Sequence, residues 1–251
     1  MSLAARAIAT AAALCAGAGS ACAAEQAVFP PLTITVGAPG DPHQLPLTLQ
    51  ILALLTVLSL APALAVMVTS FTRILIVLSF TRSALGTQQI PPNTVLAGLA
   101  LFLTVFTMAP VWRAVDEQAL QPYLKGALPY QEAAARAVKP VRDFMLRQTE
   151  ESELALFVKL GKLPRPKTPA DLPTYVIAPA FMVGELKRAF TMGFMIFVPF
   201  VVIDMVVATT LMSMGMMMMP PVVISLPCKI LLFVLVDGWR LVTQSVVASF
   251  R

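Results

Sequence analysis

The chain has 251 residues, of which 58% are hydrophobic and only 12% charged, and its mean hydropathy is +0.81. Soluble domains run at about 45–50% apolar and about 25% charged, so an ordinary soluble core is excluded and a membrane or a very large protein interface is required. The formal net charge of +5 is weak and scattered, without long runs of like charge, and gives no basic surface for nucleic acid.

Residues 1–24 carry one charge, Arg6, followed by a run of small residues and then Leu14 and Cys15. Ala21-Cys22-Ala23 matches an A-x-A cleavage pattern, which predicts a secretory signal peptide cut near Ala23 or Ala24. A lipoprotein cut at Cys22 fits less well, because Gly19 stands where an aliphatic residue is expected. The bland alternative is an N-terminus without structure. Loss of the leader leaves Cys228 alone and rules out an intrachain disulfide framework. His43 is the single histidine, which argues against a zinc site or a histidine-dependent triad.

Residues 25–46 are rich in Pro and Gly and read as an extended extracytoplasmic linker. From Leu47 to Thr69 there is no charge, a length sufficient to cross about 30 Å of hydrocarbon, with Pro62 as the expected kink. Apolar character resumes after Arg73, so this helix is expected to run on to near Arg82. Gly86 and Pro91-Pro92 form a turn, and Asn93 or Thr94 is placed to cap a second apolar helix that ends near Trp112. Pro110-Val111-Trp112-Arg113 resembles an interfacial anchor. These two helices make a first apolar hairpin over 47–112.

Residues 113–176 hold most of the charge and predict a small extracytoplasmic helical region, with segments near 114–126, 130–148 and 150–162. The alternative is a solvated loop. In the middle segment Tyr130, Ala134, Ala137, Val141, Phe144 and Met145 follow a helical stripe, although Pro140 interrupts it. A proline-rich stretch, 163–169, is a stiff linker. A third apolar helix runs from Ile177 to Met212 and a fourth from Val222 to about Val247, forming a second hairpin within 177–251. Four spans place both ends outside and the 70–93 connection inside. Arg73 and Arg82 there, with no acid, agree with the positive-inside rule.

The connection at 212–221 contains Met212, Met214, Met216, Met217, Met218 and Met219, followed by Pro220-Pro221. Methionine is unbranched and soft and fills irregular gaps without a fixed shape. Several such loops around an axis would make a compliant apolar seal that blocks ions by dewetting. Plain packing is the competing reading. Thioethers also bind Cu(I), but no histidine accompanies them, so a small-solute or Cu(I) transporter is a lesser alternative.

Charged residues inside apolar helices are costly and usually paired. Asp204 precedes Met212 by eight residues and Lys229 follows Pro221 by eight. At about 1.5 Å per residue each lies roughly 12 Å from the loop, so an antiparallel hairpin brings them level. They are expected to pair, within one chain or between subunits. Asp237 and Arg240 are i, i+3 neighbours on a helix face. Glu185 and Lys187, at the start of the third apolar run, are either interfacial or buried between subunits. No P-loop, HExxH, CxxC or GxSxG is present, so no enzyme, cofactor or metal is expected.

Longer runs carry a resemblance. Residues 67–74 (Met-Val-Thr-Ser-Phe-Thr-Arg-Ile), Ala84-Leu85-Gly86-Thr87-Gln88-Gln89 and Pro91-Pro92-Asn93 resemble the first half of the FliP family. Residues 179–194, from Pro179-Ala180-Phe181 through Glu185-Leu186-Lys187-Arg188 to Gly193-Phe194, resemble one family signature. Residues 199–216 resemble a second, and the likeness continues through Leu226-Pro227-Cys228-Lys229 to Asp237-Gly238-Trp239. It covers most of 47–247. Gly184 and Thr191 depart from the usual residues, without removing a group of assigned chemistry.

The resemblance implies an all-α, non-enzymatic pore subunit of the flagellar type III export gate in the bacterial inner membrane. It also implies helical hairpins assembled into a funnel, much of it above the bilayer plane. Such proteins associate as about five copies with FliQ and FliR, near FlhA and FlhB, and pass unfolded flagellar subunits. The methionine gasket of the family falls on Met216, Met217, Met218 and Met219. Injectisome counterparts share the signatures. The four-methionine loop and the leader favour the flagellar member.

Overall fold

The computed structural model describes residues 47–250 except 88, 165, 167, 217 and 218. The expected signal peptide, the 25–46 linker, and Met217 and Met218 of the expected gasket lie outside the described residues. All regular elements among the described residues are helical.

Helix α1, Leu47–Met67, contains Pro62 and no charge, and its side chains from 51 to 67 are all exposed in the isolated chain. A helix that is apolar all round must be covered by lipid or by other protein. Helix α2, Phe71–Ala84, does not continue α1. The two are bent by 64° at 68–70. The expected single helix to Arg82 is therefore broken. The break has a polar cause: Ser70 is buried with its hydroxyl 2.5 Å from that of Thr107, and Arg73 must reach the core rather than the surface. Arg73, Ile74, Val77, Leu78, Thr81 and Ala84 form the buried stripe of α2, the spacing of one helical face.

Helix α3, Asn93–Val115, has Pro92 at its N-cap with no side-chain capping bond, so Asn93 does not cap it. The Asn93 side-chain oxygen instead accepts from Arg82 Nη1 at 2.6 Å, closing the α2–α3 turn. The helix passes beyond Trp112 through a π-helical turn, Asp116–Leu120, into α4, Gln121–Leu124.

The charged region is helical: α5 spans Tyr130–Gln148 and α6 Glu151–Leu160. Pro140 lies inside α5, which remains continuous. The buried face of α5 matches the expected stripe in part, with Ala137 and Val141 half-buried. Ala133, Pro140, Phe144, Met145 and Gln148 are buried, while Tyr130 and Ala134 are exposed. Arg142 fastens the following linker by donating to Thr174 Oγ1 (2.9 Å), to the Ala170 carbonyl (2.6 Å) and to the Leu172 carbonyl.

Helix α7, Thr174–Ser213, is 40 residues long and is the axis of the fold. It packs on α2, α5 and α6. A Cβ at Gly193 would lie 2.5 Å from Phe80 Cγ, so the missing side chain is what lets α2 and α7 approach. The expected fourth helix is two: α8, Val222–Leu235, and α9, Gly238–Ala248, bent by 64°. Asp237 takes a left-handed backbone at the corner, and the Phe233 ring fills the space a side chain at Gly238 would need. The Asp237-Gly238 dipeptide is a turn signal that the apolar run conceals.

Two apolar clusters result. One joins α2, α3, α7, α8 and α9 around Ile74, Leu78, Leu96, Phe200 and Phe233. The other joins α3, α5, α6 and the start of α7 around Met108, Phe144, Ile177 and Phe181. Among the described residues two helices, Asn93–Leu124 and Thr174–Ser213, are long and apolar enough to cross a membrane, and up to four spans result if each bent pair counts as one.

Candidate functional site

The methionine connection begins as an ordered helix end. Gly215 N donates to the Met212 carbonyl and Met216 N to the Leu211 carbonyl, both at 3.1 Å, and Gly215 has φ +79. This is the paired bonding of a Schellman motif, which needs a left-handed residue where Gly215 stands. Helix α8 restarts immediately, with Ser225 N donating to the Pro221 carbonyl at 2.9 Å. Prolines at that entry lack N–H groups where a helix start leaves them without a partner. Met214 is 69% exposed, Met216 38% and Met219 40%. Nothing lies within 4 Å of a Cβ built at Gly215. The connection thus starts from a defined backbone turn at Gly215, and the side chains of Met214, Met216 and Met219 are exposed.

The spacing argument for Asp204 and Lys229 agrees with the contact between them: Lys229 Nζ donates to Asp204 Oδ2 at 2.5 Å. Lys229 is buried under the α2–α3 turn, with Nζ 3.9 Å from a Cβ position at Gly86. The Ser225 hydroxyl, one turn earlier on α8, is buried and without a partner among the described residues. The pair ties α7 to α8 about two helical turns from the methionine connection.

Glu185 is fully buried, and its partner is Arg73, also fully buried. Arg73 Nε donates to Glu185 Oε2 at 2.8 Å, and Nη2 donates to Glu185 Oε1 and to Gln148 Oε1. Nη1 donates to the Ser249 carbonyl (3.0 Å) and hydroxyl (2.9 Å), and the guanidinium lies 3.9 Å from the centre of the Phe250 ring. Under the positive-inside rule Arg73 counts with Arg82 in the 70–93 connection. It belongs instead to the core of α2, and cannot count towards positive-inside asymmetry. A lone carboxylate in an apolar run was the available signal, since such a group needs a cation.

Lys187 faces outward, with Nζ 2.9 Å from Glu150 Oε2 and 3.0 Å from Glu153 Oε1. Hydrogen bonds from the Ser152 hydroxyl and then from Lys187 hold the Glu153 carboxyl below the usual carboxylate range, against the opposing effect of burial. Asp237 and Arg240 approach to 3.9 Å with both side chains mostly exposed, a geometry that contributes little. Asp237 itself sits at the α8–α9 corner rather than on a helix face. Among the described residues no group of three or more His, Cys, Asp or Glu side chains is placed to hold a metal.

Residues 54–246 match the family model described as the FliP family. The chain is 51% identical over 217 residues to the flagellar biosynthetic protein FliP of Bacillus subtilis, covering 86% of this chain and 98% of that one. It is 54% identical over 202 residues to the protein of the same name from Caulobacter vibrioides, covering 80% and 76%. To that from Aquifex aeolicus it is 44% identical over 225 residues, covering 89% and 92%.

Proposed function

The chain belongs to the FliP family, and from that premise we propose that it is a pore-forming core subunit of the flagellar type III export gate in the bacterial inner membrane. Several copies, about five, surround a conduit with FliQ and FliR, near FlhA and FlhB, and unfolded flagellar subunits pass through it. The exposed apolar surfaces of α1, α3 and α7 are covered by neighbouring subunits and lipid.

The observation that supports this reading is the turn at 212–221. Gly215 closes the end of α7 in a defined turn, the Asp204–Lys229 pair ties α7 to α8 on the helical side of it, and Met214, Met216 and Met219 are exposed. A rigid support bearing soft side chains suits a seal that must close on itself and yield to chains of varied shape. The acidic and basic groups named above hold the support and perform no chemistry on the cargo.

Deleting residues 216–219 tests the seal. A correctly assembled gate carrying the deletion is expected to leak ions, seen as raised membrane conductance. Unchanged conductance in an assembled mutant gate overturns the gasket.

A further inference from the structure

The methionines of this chain differ sharply in environment. Met108 and Met145 are buried in the second apolar cluster. Met212, at the end of α7, and Met214, Met216 and Met219, beyond it, are exposed. Nothing lies within 4 Å of a Cβ built at Gly215, so this turn is open on the side of its own chain. Six of the eight residues 212–219 are methionine.

Leucine is as apolar as methionine, but it has no sulfur for a peroxide to attack. A thioether sulfur gives a lone pair to one oxygen of hydrogen peroxide, and the O–O bond breaks. That oxygen stays on sulfur, the other leaves as water, and two electrons have passed from sulfur to the oxidant. The product is a sulfoxide, which is polar and chiral. A dithiol reverses the step through methionine sulfoxide reductases: two electrons and two protons return, water leaves and the thioether is restored.

We propose that the 212–219 connection is an oxidation-sensitive site, and that sulfoxides formed there by a peroxide open the seal. The inference rests on the gasket reading above. An apolar constriction excludes water only while its wall offers water no partner. A sulfoxide oxygen accepts hydrogen bonds, and an unpaired polar group in apolar surroundings is costly. The nearest side-chain donor at the end of α7 is already engaged, with the Ser213 hydroxyl donating to the Thr210 carbonyl at 2.7 Å. The sulfoxides therefore take their hydrogen bonds from water, and the constriction wets. Subunit symmetry repeats the change around the axis, so a few oxidised residues per chain alter the whole ring. Met195 and Met205 are also exposed, but they lie back along α7, away from the connection.

The test treats the assembled gate, reconstituted into lipid vesicles, with hydrogen peroxide. A Cys228→Ser background removes the exposed thiol. Peptide mass mapping counts the added oxygens, and vesicle conductance reads the seal. Oxygen is expected on residues 212–219 before Met108 and Met145, with conductance rising to that of the untreated 216–219 deletion. Reductases with dithiothreitol are expected to remove the oxygen and close the gate again. Replacing all six methionines of 212–219 by leucine is expected to keep the treated gate closed while Met195 and Met205 still oxidise. A second preparation carries norleucine, unbranched like methionine but without sulfur, and is expected to stay closed as well. Leakage of either sulfur-free gate on treatment overturns the proposal. So does a wild-type gate that stays closed with sulfoxides mapped to 212–219, or whose connection resists oxidation until Met108 and Met145 react. A gate that stays open after its thioethers are restored also overturns it. Failure of the gasket reading is told apart without oxidant, because the untreated deletion then does not leak.

Discussion

Lys229 Nζ lies 2.5 Å from Asp204 Oδ2, yet the two side chains differ in exposure, 9% for the lysine and 41% for the aspartate. The asymmetry sets which partner is the more costly to lose. Removing Asp204 strands a buried ammonium, whereas removing Lys229 leaves a carboxylate that still has an open side. Asp204→Ala is expected to cost about 3 kcal/mol, and Lys229→Met about 1 kcal/mol. Unfolding midpoints of the two variants in detergent decide it, and the reverse order would show that Asp204 is the more deeply committed partner.

The Arg73–Glu185 pair has no exposed partner on either side. Glu185→Gln keeps the shape but leaves the Arg73 charge short of its counter-ion, at a cost of about 3–5 kcal/mol. The double variant Arg73→Met/Glu185→Leu removes both charges and is expected to be more stable than Glu185→Gln alone. Chemical denaturation of Arg73→Met, Glu185→Leu and the double variant gives the coupling. A double variant as unstable as the sum of its singles would mean that the pair has no specific interaction.

Gly193 and Gly98 make a matched comparison. A Cβ at Gly193 would stand 2.5 Å from Phe80 Cγ, whereas one at Gly98 would meet nothing within 4 Å. Gly193→Ala therefore forces α2 from α7 and disturbs the edge-to-face contact of Phe80 with Phe190, at about 1–3 kcal/mol. Gly98→Ala removes helix-interior flexibility at no steric cost and is expected to gain about 0.5–1 kcal/mol. Phe80→Ala should make the Gly193→Ala change less costly. Thermal unfolding of the variants reads all three effects.

The helical class, the Met-rich turn and the approach of Asp204 to Lys229 were legible because each rests on local pattern: apolar runs, a Gly followed by Pro-Pro, and equal spacing from a turn. The corners at Ser70 and Asp237 were not. Each lies within a longer, mainly apolar run, and the bends come with long-range contacts, the burial of Arg73 beside Glu185 and the packing of Phe233 on Gly238. The Arg73 contacts join residues 112 and 176 positions apart in sequence, and no periodicity reports such a meeting. On α5, Tyr130 and Ala134 fit an apolar stripe by spacing, but the helix is rotated so that Ala133 and Pro140 face the core. Spacing alone does not choose between two neighbouring faces of one helix.

The contact of α6 with α7 is expected to weaken in acid, and Glu153 gives the sign. Its folded pKa is depressed, first by the Ser152 hydroxyl and next by Lys187. A depressed carboxyl binds fewer protons folded than unfolded, so its contribution is fully present above the unfolded value of about 4.3. It is lost as pH falls through the lower folded value. Protonation removes the acceptor facing Lys187 Nζ, leaving that ammonium with Glu150 alone. Protection of α6 against hydrogen exchange, corrected for the intrinsic rate, should therefore fall between about pH 5 and pH 3. In Glu153→Gln the protection should be lower at neutral pH and its decline in acid shallower, since the side chain no longer titrates. An unchanged acid profile in that variant would show that Glu153 does not set the pH dependence.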